Sequence, residues 1–413
     1  MVKRKIPEHL KRHYLRPILT FVYLALIVYG SLHPWKGWTW PNDEHWWQRI
    51  EGQTRYFSTS DITVNILLYI PVGLSLYWVF RTWTPVRAAI GWSLLAGIAL
   101  SGTMEFLQLF LPGRIASWRD FALNTLGTSI GIWMAWGTGP TTSWGQGIQQ
   151  WRQREFTFGR YTDFGIFVLA VWALAQLSPF IPEFGNGAIT KNATAFWQAL
   201  THPITLNLRE LLAETFQFIG LGFIAHRLWR NPVPRHPGLI FGLFAGIILV
   251  CKIPIPHQHV GVESFAGLVL ALLVLHLSTR YTPSVKAGLC ILSLIAGYML
   301  AHITPHQQVA LSANAINWIP FRYQILGDAR GLATLLNGLW PFMGIAFCTL
   351  LLPARTRTIA AVGGVTILLL TLSVEWWQQW DNTQKADISD VLLALAGWAL
   401  AWAHPVIRRG PTS

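Results

Sequence analysis

Apolar residues run through this chain in long stretches separated by short polar or basic breaks, and about twelve of these stretches approach the ~20 residues that span a bilayer. They cover residues 18–33, 61–80, 88–111, 120–136, 163–181, 208–226, 237–253, 262–279, 285–303, 332–352, 358–376 and 389–404. Polar positions within them gather toward the ends and leave the middles apolar. The pattern predicts an all-α fold, a polytopic transmembrane helix bundle of about 12 spans.

Composition agrees with that reading. Of 413 residues, 52% are hydrophobic and 12% charged, about half the ~25% charged share of a soluble domain. Such a chain cannot cover itself with polar surface. Tryptophans sit near the ends of the runs, as at Trp35, Trp38, Trp40, Trp46, Trp47, Trp376, Trp377 and Trp380, where interfacial aromatic belts lie. The net charge of +13 comes from basic residues scattered among short loops, so it is a topology signal and no nucleic-acid partner is expected. With Lys3, Arg4, Lys5, Lys11, Arg12 and Arg16 placed in the cytoplasm, alternation through the spans puts most of the basic residues inside. The expected location is the cell membrane, multi-pass, with both termini cytoplasmic. After the first run the sequence continues His33-Pro34-Trp35, without the small residues of a cleavage site, so that run reads as a retained helix. Cys251, Cys290 and Cys348 fall in or beside predicted spans without a CxxC pattern, which indicates neither a disulfide framework nor a zinc site.

The predicted organisation is a basic segment, 1–16, a four-helix unit, 17–137, a cytoplasmic linker, 138–161, a second four-helix unit, 162–280, a third, 285–404, and a tail, 405–413. Four crossings per unit make the units parallel repeats. Copying is visible between the first and third: Pro71, Glu105, Gln108, Asp120 and Gly127 return 270 positions later as Pro341, Glu375, Gln378, Asp390 and Gly397. The second unit is degenerate. Glu210 aligns with Asp61 and Gly222 with Gly73, and Glu263 stands near the place of Asp120, but Val250 to His257 contains no Glu-x-x-Gln.

The first unit carries the fullest polar set. Asp61, Asn65, Pro71 and Gly73 lie on its second helix, Glu105 and Gln108 close the third, and Arg114, Ser117 and Arg119 lead into Asp120, Asn124 and Gly127 on the fourth. Spacings of three and four put each group on one helix face. The predicted topology brings them together near the outer leaflet. A carboxylate there should have a partner, and Arg114 or Arg119 is expected to supply it. Helix caps, a loop staple and close helix crossings would account for the same residues structurally.

In this order, these residues resemble the VanZ-like family of bacterial membrane proteins, named for a glycopeptide (teicoplanin) resistance determinant. The resemblance is best over 61–131, and the third unit matches in part through Asn317-Trp-Ile-Pro-Phe-Arg322, Pro341, Glu375, Gln378, Asp390 and Gly397. There Gln384, Asp387 and Ala394 stand where the first unit has Arg114, Ser117 and Asn124. The resemblance implies a four-helix membrane unit of the bacterial envelope and no particular reaction.

Other chemical-looking motifs have plainer readings. Gly127-Thr-Ser129-Ile-Gly131 has the spacing of a nucleophile elbow but lies within a predicted membrane helix, where small residues pack helices together. His257-Gln-His259 and His302-x-x-x-His306 lack nearby cysteines or carboxylates and read as interfacial histidines. No metal and no cofactor are expected. The leading reading is a non-enzymatic envelope protein that binds a lipid-linked or cell-surface (cell-wall) molecule, with membrane lipids as its other partners. Its candidate ligand-binding residues are Asp61, Asn65, Glu105, Gln108, Arg114, Ser117, Asp120, Asn124, Glu375, Gln378, Asp387 and Asp390. An intramembrane enzyme using Glu105 and Asp120 on a lipid head group, and a transporter, are the alternatives. The first lacks a nucleophile. The second would place its site near the bilayer midplane.

Overall fold

The structure, a computed structural model, describes residues 8–32, 35–40, 59–111, 114–157, 160–178, 188–201, 206–230, 236–255, 260–303, 316–322, 330–352, 356–380 and 386–402. The described residues are helical, with two isolated β-bridges and no strand. The helices are α1 (Glu8–Leu32), α2 (Thr59–Phe80), α3 (Val86–Gln108), α4 (Trp118–Gly137), α5 (Ser143–Glu155), α6 (Arg160–Leu177), α7 (Ala188–Thr201), α8 (Leu208–Leu228), α9 (Pro237–Lys252), α10 (Val262–Leu277), α11 (Pro283–His302), α12 (Arg330–Thr349), α13 (Thr356–Gln378) and α14 (Ile388–Trp402). Each predicted apolar run contains one of them. Among the described residues, six helices are long and apolar enough to cross a membrane, namely α2, α3, α10 with the turn after it, α11, α12 and α13. Shorter apolar helical stretches lie in α1, α6, α9 and α14. The chain is a multi-pass membrane protein by this measure.

Local sequence sets the helix starts. Ser117 and Asn207 cap α4 and α8 by accepting backbone N–H bonds through their side chains. Pro237 and Pro283 occupy first-turn positions of α9 and α11, where the missing N–H costs nothing. Two helices were not expected. α5 lies in the stretch read as linker, and its exposed Trp144, Ile148 and Trp151 recur at helical spacing along one side. α7 lies between the first two helices of the second predicted unit.

The chain divides into two compact units, 1–152 and 153–413. In the first, α2 and α4 make the most extensive pairing. It is a backbone-to-backbone approach: a Cβ added at Gly127 would strike the carbonyl oxygen of Ile66, and one at Gly131 that of Ile70. Ser129 of the elbow-like motif donates to the Thr125 carbonyl at 2.8 Å, so its hydroxyl is spent on its own helix.

The second unit holds the second and third predicted four-helix groups in one body. The same pairing returns in each, α8 with α10 and α12 with α14. The groups are joined by α8 packing on α11 and α6 on α12. Their shared core contains Trp172, Phe218, Leu294, Phe342 and Phe347, all nearly fully buried, with Tyr161 stacked on Phe347 at 4.1 Å. Burial of this many large side chains explains why the two groups fold as one compact body. Cys290 and Cys348 lie within it as buried free thiols in contact.

Replacing Gly131 by valine should destabilise the purified protein by about 1–3 kcal/mol, the usual cost of forcing bulk into a packed interface. Gly91→Ala, at a position with open space around it, should be neutral or slightly stabilising. Thermal unfolding in detergent reads both. Equal behaviour of the two variants would mean that α4 does not rest on the backbone of α2.

Candidate functional site

Four helix ends meet at one end of the first unit: the last turns of α1 and α3 and the first turns of α2 and α4. Glu105, in the last turn of α3, accepts the backbone N–H of Ser117 at 2.7 Å through Oε2. Ser117 in turn accepts the N–H groups of Arg119 and Asp120 through its hydroxyl, at 3.2 and 3.4 Å. Thus a single residue carries both the cap of α4 and the tie to α3. Gln108 Nε2 donates to the Ser31 carbonyl at 3.0 Å, and Arg114 donates to the Gly30 carbonyl at 2.7 Å, so both reach the end of α1. Asn65 Nδ2 on α2 donates to Asp120 Oδ1 on α4 at 2.8 Å. The side chain of Asp61, in the first turn of α2, lies outside the described residues.

The expected pairing of Glu105 with Arg114 or Arg119 is absent. Glu105 takes a backbone amide, and the Arg114 guanidinium goes to the carbonyl end of α1. That end carries the negative pole of the helix dipole and suits a cation. Burial in the loop lowers the Arg114 pKa from its ordinary value without removing its charge.

Just inside these ties lies a buried polar group in which Asn124 is an expected site residue and Ser101 and Tyr69 are not. Asn124 Nδ2 donates to Ser101 Oγ at 3.1 Å, and Tyr69 of α2 is buried in the same unit. Asn124 is 5% exposed and Tyr69 4%. The Asn124 carbonyl oxygen and the Tyr69 hydroxyl have no hydrogen-bond partner among the described residues. Two buried acceptors or donors left unspent cost about 1–3 kcal/mol each. Ser101 stands four before Glu105 and Tyr69 four after Asn65, so the i, i+4 rule applied to the named residues was the available signal.

The third predicted unit repeats the outer ties at the same offset of 270. Glu375 Oε2 accepts the N–H of Asp387 at 2.6 Å, as Glu105 does from Ser117. Gln378 Nε2 donates to the His302 carbonyl at the end of α11 at 3.3 Å, as Gln108 does to the end of α1. Asp387 Oδ1 accepts the N–H of Ser389 at 2.9 Å, matching Ser117 and Arg119. Asn317 adds a tie of its own: its backbone bridges that of Asp387, and its Nδ2 donates to Asp387 Oδ1 at 3.2 Å. The interior differs, since Leu335 and Leu339 replace Asn65 and Tyr69, and Ala394 replaces Asn124. Asp390 therefore lacks the amide partner that Asp120 has, while Glu375 Oε1 and Asp387 Oδ2 are buried without a partner among the described residues.

At the corresponding end of the middle group, Glu263 Oε1 accepts the N–H of Asn207 at 3.0 Å. The end of α9 carries a cation where α3 and α13 carry a carboxylate: Lys252 is buried and donates to Gln176 Oε1 at 2.9 Å. Ser264 donates to Glu214 Oε1 at 3.2 Å. Of the histidine pairs, His257, His259 and His306 lie outside the described residues. Among those described, no three His, Cys, Asp or Glu side chains are placed to hold a metal ion.

If the Glu105 tie organises this end, Glu105→Ala should lower stability by about 1.5–3 kcal/mol, the range for a hydrogen bond to a charged group. Glu105→Gln keeps an acceptor for the Ser117 amide and should lose less than half as much. Denaturation of the two purified variants decides it, and equal losses would show that the bond to Ser117 is not what Glu105 contributes.

Comparison with known proteins agrees with the first unit's arrangement. Residues 17–139 match a family model described as VanZ/LLP1. No curated protein and no solved structure matches the chain. Residues 17–139, the segment that holds Glu105, Ser117, Asp120 and Asn124, are similar to the VanZ/LLP1 family.

Proposed function

We propose that the polar end of the first unit is a binding site for a lipid-linked or cell-surface molecule, facing outward from the bacterial cell membrane, in a role like that of glycopeptide resistance. The observation that carries this reading is the unspent hydrogen-bonding capacity of Asn124 and Tyr69, buried behind Glu105 and Asp120. Buried polar groups are nearly always satisfied, and orphans call for an explanation. A sugar or head-group hydroxyl, brought in between the helix ends, would donate to the Asn124 oxygen and accept from the Tyr69 hydroxyl. Glu105, Asp120 and Arg114 would line the approach, and the ties to the end of α1 and the start of α4 would hold it in shape before the ligand arrives.

The three four-helix units, 17–137, 162–280 and 285–404, are read here as tandem copies of which the first is the working site. The shared ties of Glu105 and Glu375, and of Gln108 and Gln378, support the copying. The loss of Asn65, Tyr69 and Asn124 from the third copy favours the first as the ligand site. An enzymatic role of Glu105 and Asp120 is the weaker reading, because Glu105 already holds the Ser117 amide and Asp120 the Asn65 amide.

Cells that depend on this protein for resistance to a teicoplanin-type glycopeptide should lose protection with Tyr69→Phe combined with Asn124→Leu. Binding of a purified lipid-linked cell-wall precursor should weaken roughly tenfold, or ~1.4 kcal/mol, for Glu105→Gln and for Asp120→Asn. Unchanged binding and unchanged protection in properly inserted variants would remove the site.

A further inference from the structure

The opposite end of the middle group has a feature that the polar cluster does not explain. A cavity of about 560 Å³ opens between the last turns of α8 and α10 and the first turns of α9 and α11, within the ~300–1,000 Å³ typical of ligand sites. Its inner wall is apolar, formed by Phe223, Phe241 and neighbouring leucines. Its rim carries His226, His236, His276 and Lys286, with no carboxylate among the lining residues.

These rim groups come from four separate elements and are not consumed by the fold. Lys286 Nζ donates to the Thr279 carbonyl at 3.2 Å; an ammonium has three donors, so two are left over among the described residues. His226, His236 and His276 have no ring hydrogen bonds among the described residues. The first turn of α9 adds backbone N–H groups, since its cap residue His236 makes no side-chain capping bond. An apolar chamber with one ammonium, three imidazoles and no carboxylate among its described lining residues favours a ligand that is apolar at one end and anionic at the other.

We infer that this cavity binds a phosphate-bearing amphiphile, its acyl portion between Phe223 and Phe241 and its phosphate held by Lys286 and the surrounding imidazoles. A tetrahedral phosphate offers several acceptor oxygens to donors arriving from several directions. A carboxylate would leave part of the ring unused. The site stands independently of the proposed ligand site in the first unit.

Native mass spectrometry of the full chain in neutral detergent, with short-chain phosphatidic acid as the probe, tests this. One lipid should bind per chain. Binding should weaken about tenfold in Lys286→Gln. Gly238→Phe should block it as well, because Gly238 lines the cavity with open space around it, and an aromatic ring there occupies the chamber with little disturbance to the fold. Phosphatidylcholine of the same chain length should bind far more weakly, and inorganic phosphate should displace the probe only in large excess. Unchanged adducts in both variants would overturn the proposal. So would equal binding of phosphatidylcholine or of a fatty acid, or displacement of the lipid by inorganic phosphate at equal concentration.

Discussion

A carboxylate at the end of a membrane helix has little water to solvate it, and its position is tolerable only if the protein supplies a donor. In this chain the donor is a backbone amide at the start of the next helix. Glu105 takes the N–H of Ser117, and because that same residue caps α4, the bond fixes the end of α3 and the start of α4 together. Arg114 and Gln108 then reach across to α1, and Asn65 joins α2 to α4. Four helix ends are held together by these hydrogen bonds.

Using a backbone donor also explains what the third unit could change. At the place of Ser117 it has Asp387, which looks like the loss of a functional hydroxyl. The tie needs only the main-chain N–H, which every residue but proline has, and both serine and aspartate cap helices well. The substitution therefore leaves both jobs intact. The difference lies in the interior, where leucine and alanine stand at the places of the side chains that Asp120 and Ser101 engage in the first unit. The outer scaffold and the inner polar group vary separately, as expected if one is architecture and the other is specific to a ligand.

Much of this was legible in the chain. The apolar runs located the spanning helices, and the offset of 270 picked out Glu105, Gln108, Glu375 and Gln378, whose bonds match. Sequence distance does not tell which partner a charged side chain takes: Arg114, expected with Arg119 to serve a carboxylate, donates to the carbonyl end of α1. Ser101 was not legible because a serine hydroxyl in an apolar run bonds its own helix as a rule, and Tyr69 was not because a tyrosine there reads as apolar bulk. α5 was missed for a different reason: its polarity reads as a loop, and only the Trp144, Ile148 and Trp151 spacing betrays a surface helix. The joining of the second and third groups into one body depends on which large side chains face each other, which periodicity does not specify.

The amides of Ser117 and Asp387 are held by the carboxylates of Glu105 and Glu375 although both residues precede their helices. Amide hydrogen exchange of the intact protein in lipid nanodiscs measures this directly. Protection at both positions comparable with that inside α4 and α14 is the predicted result. Exchange at the rate of an open loop at Ser117 and Asp387, with the neighbouring helices protected, would contradict it.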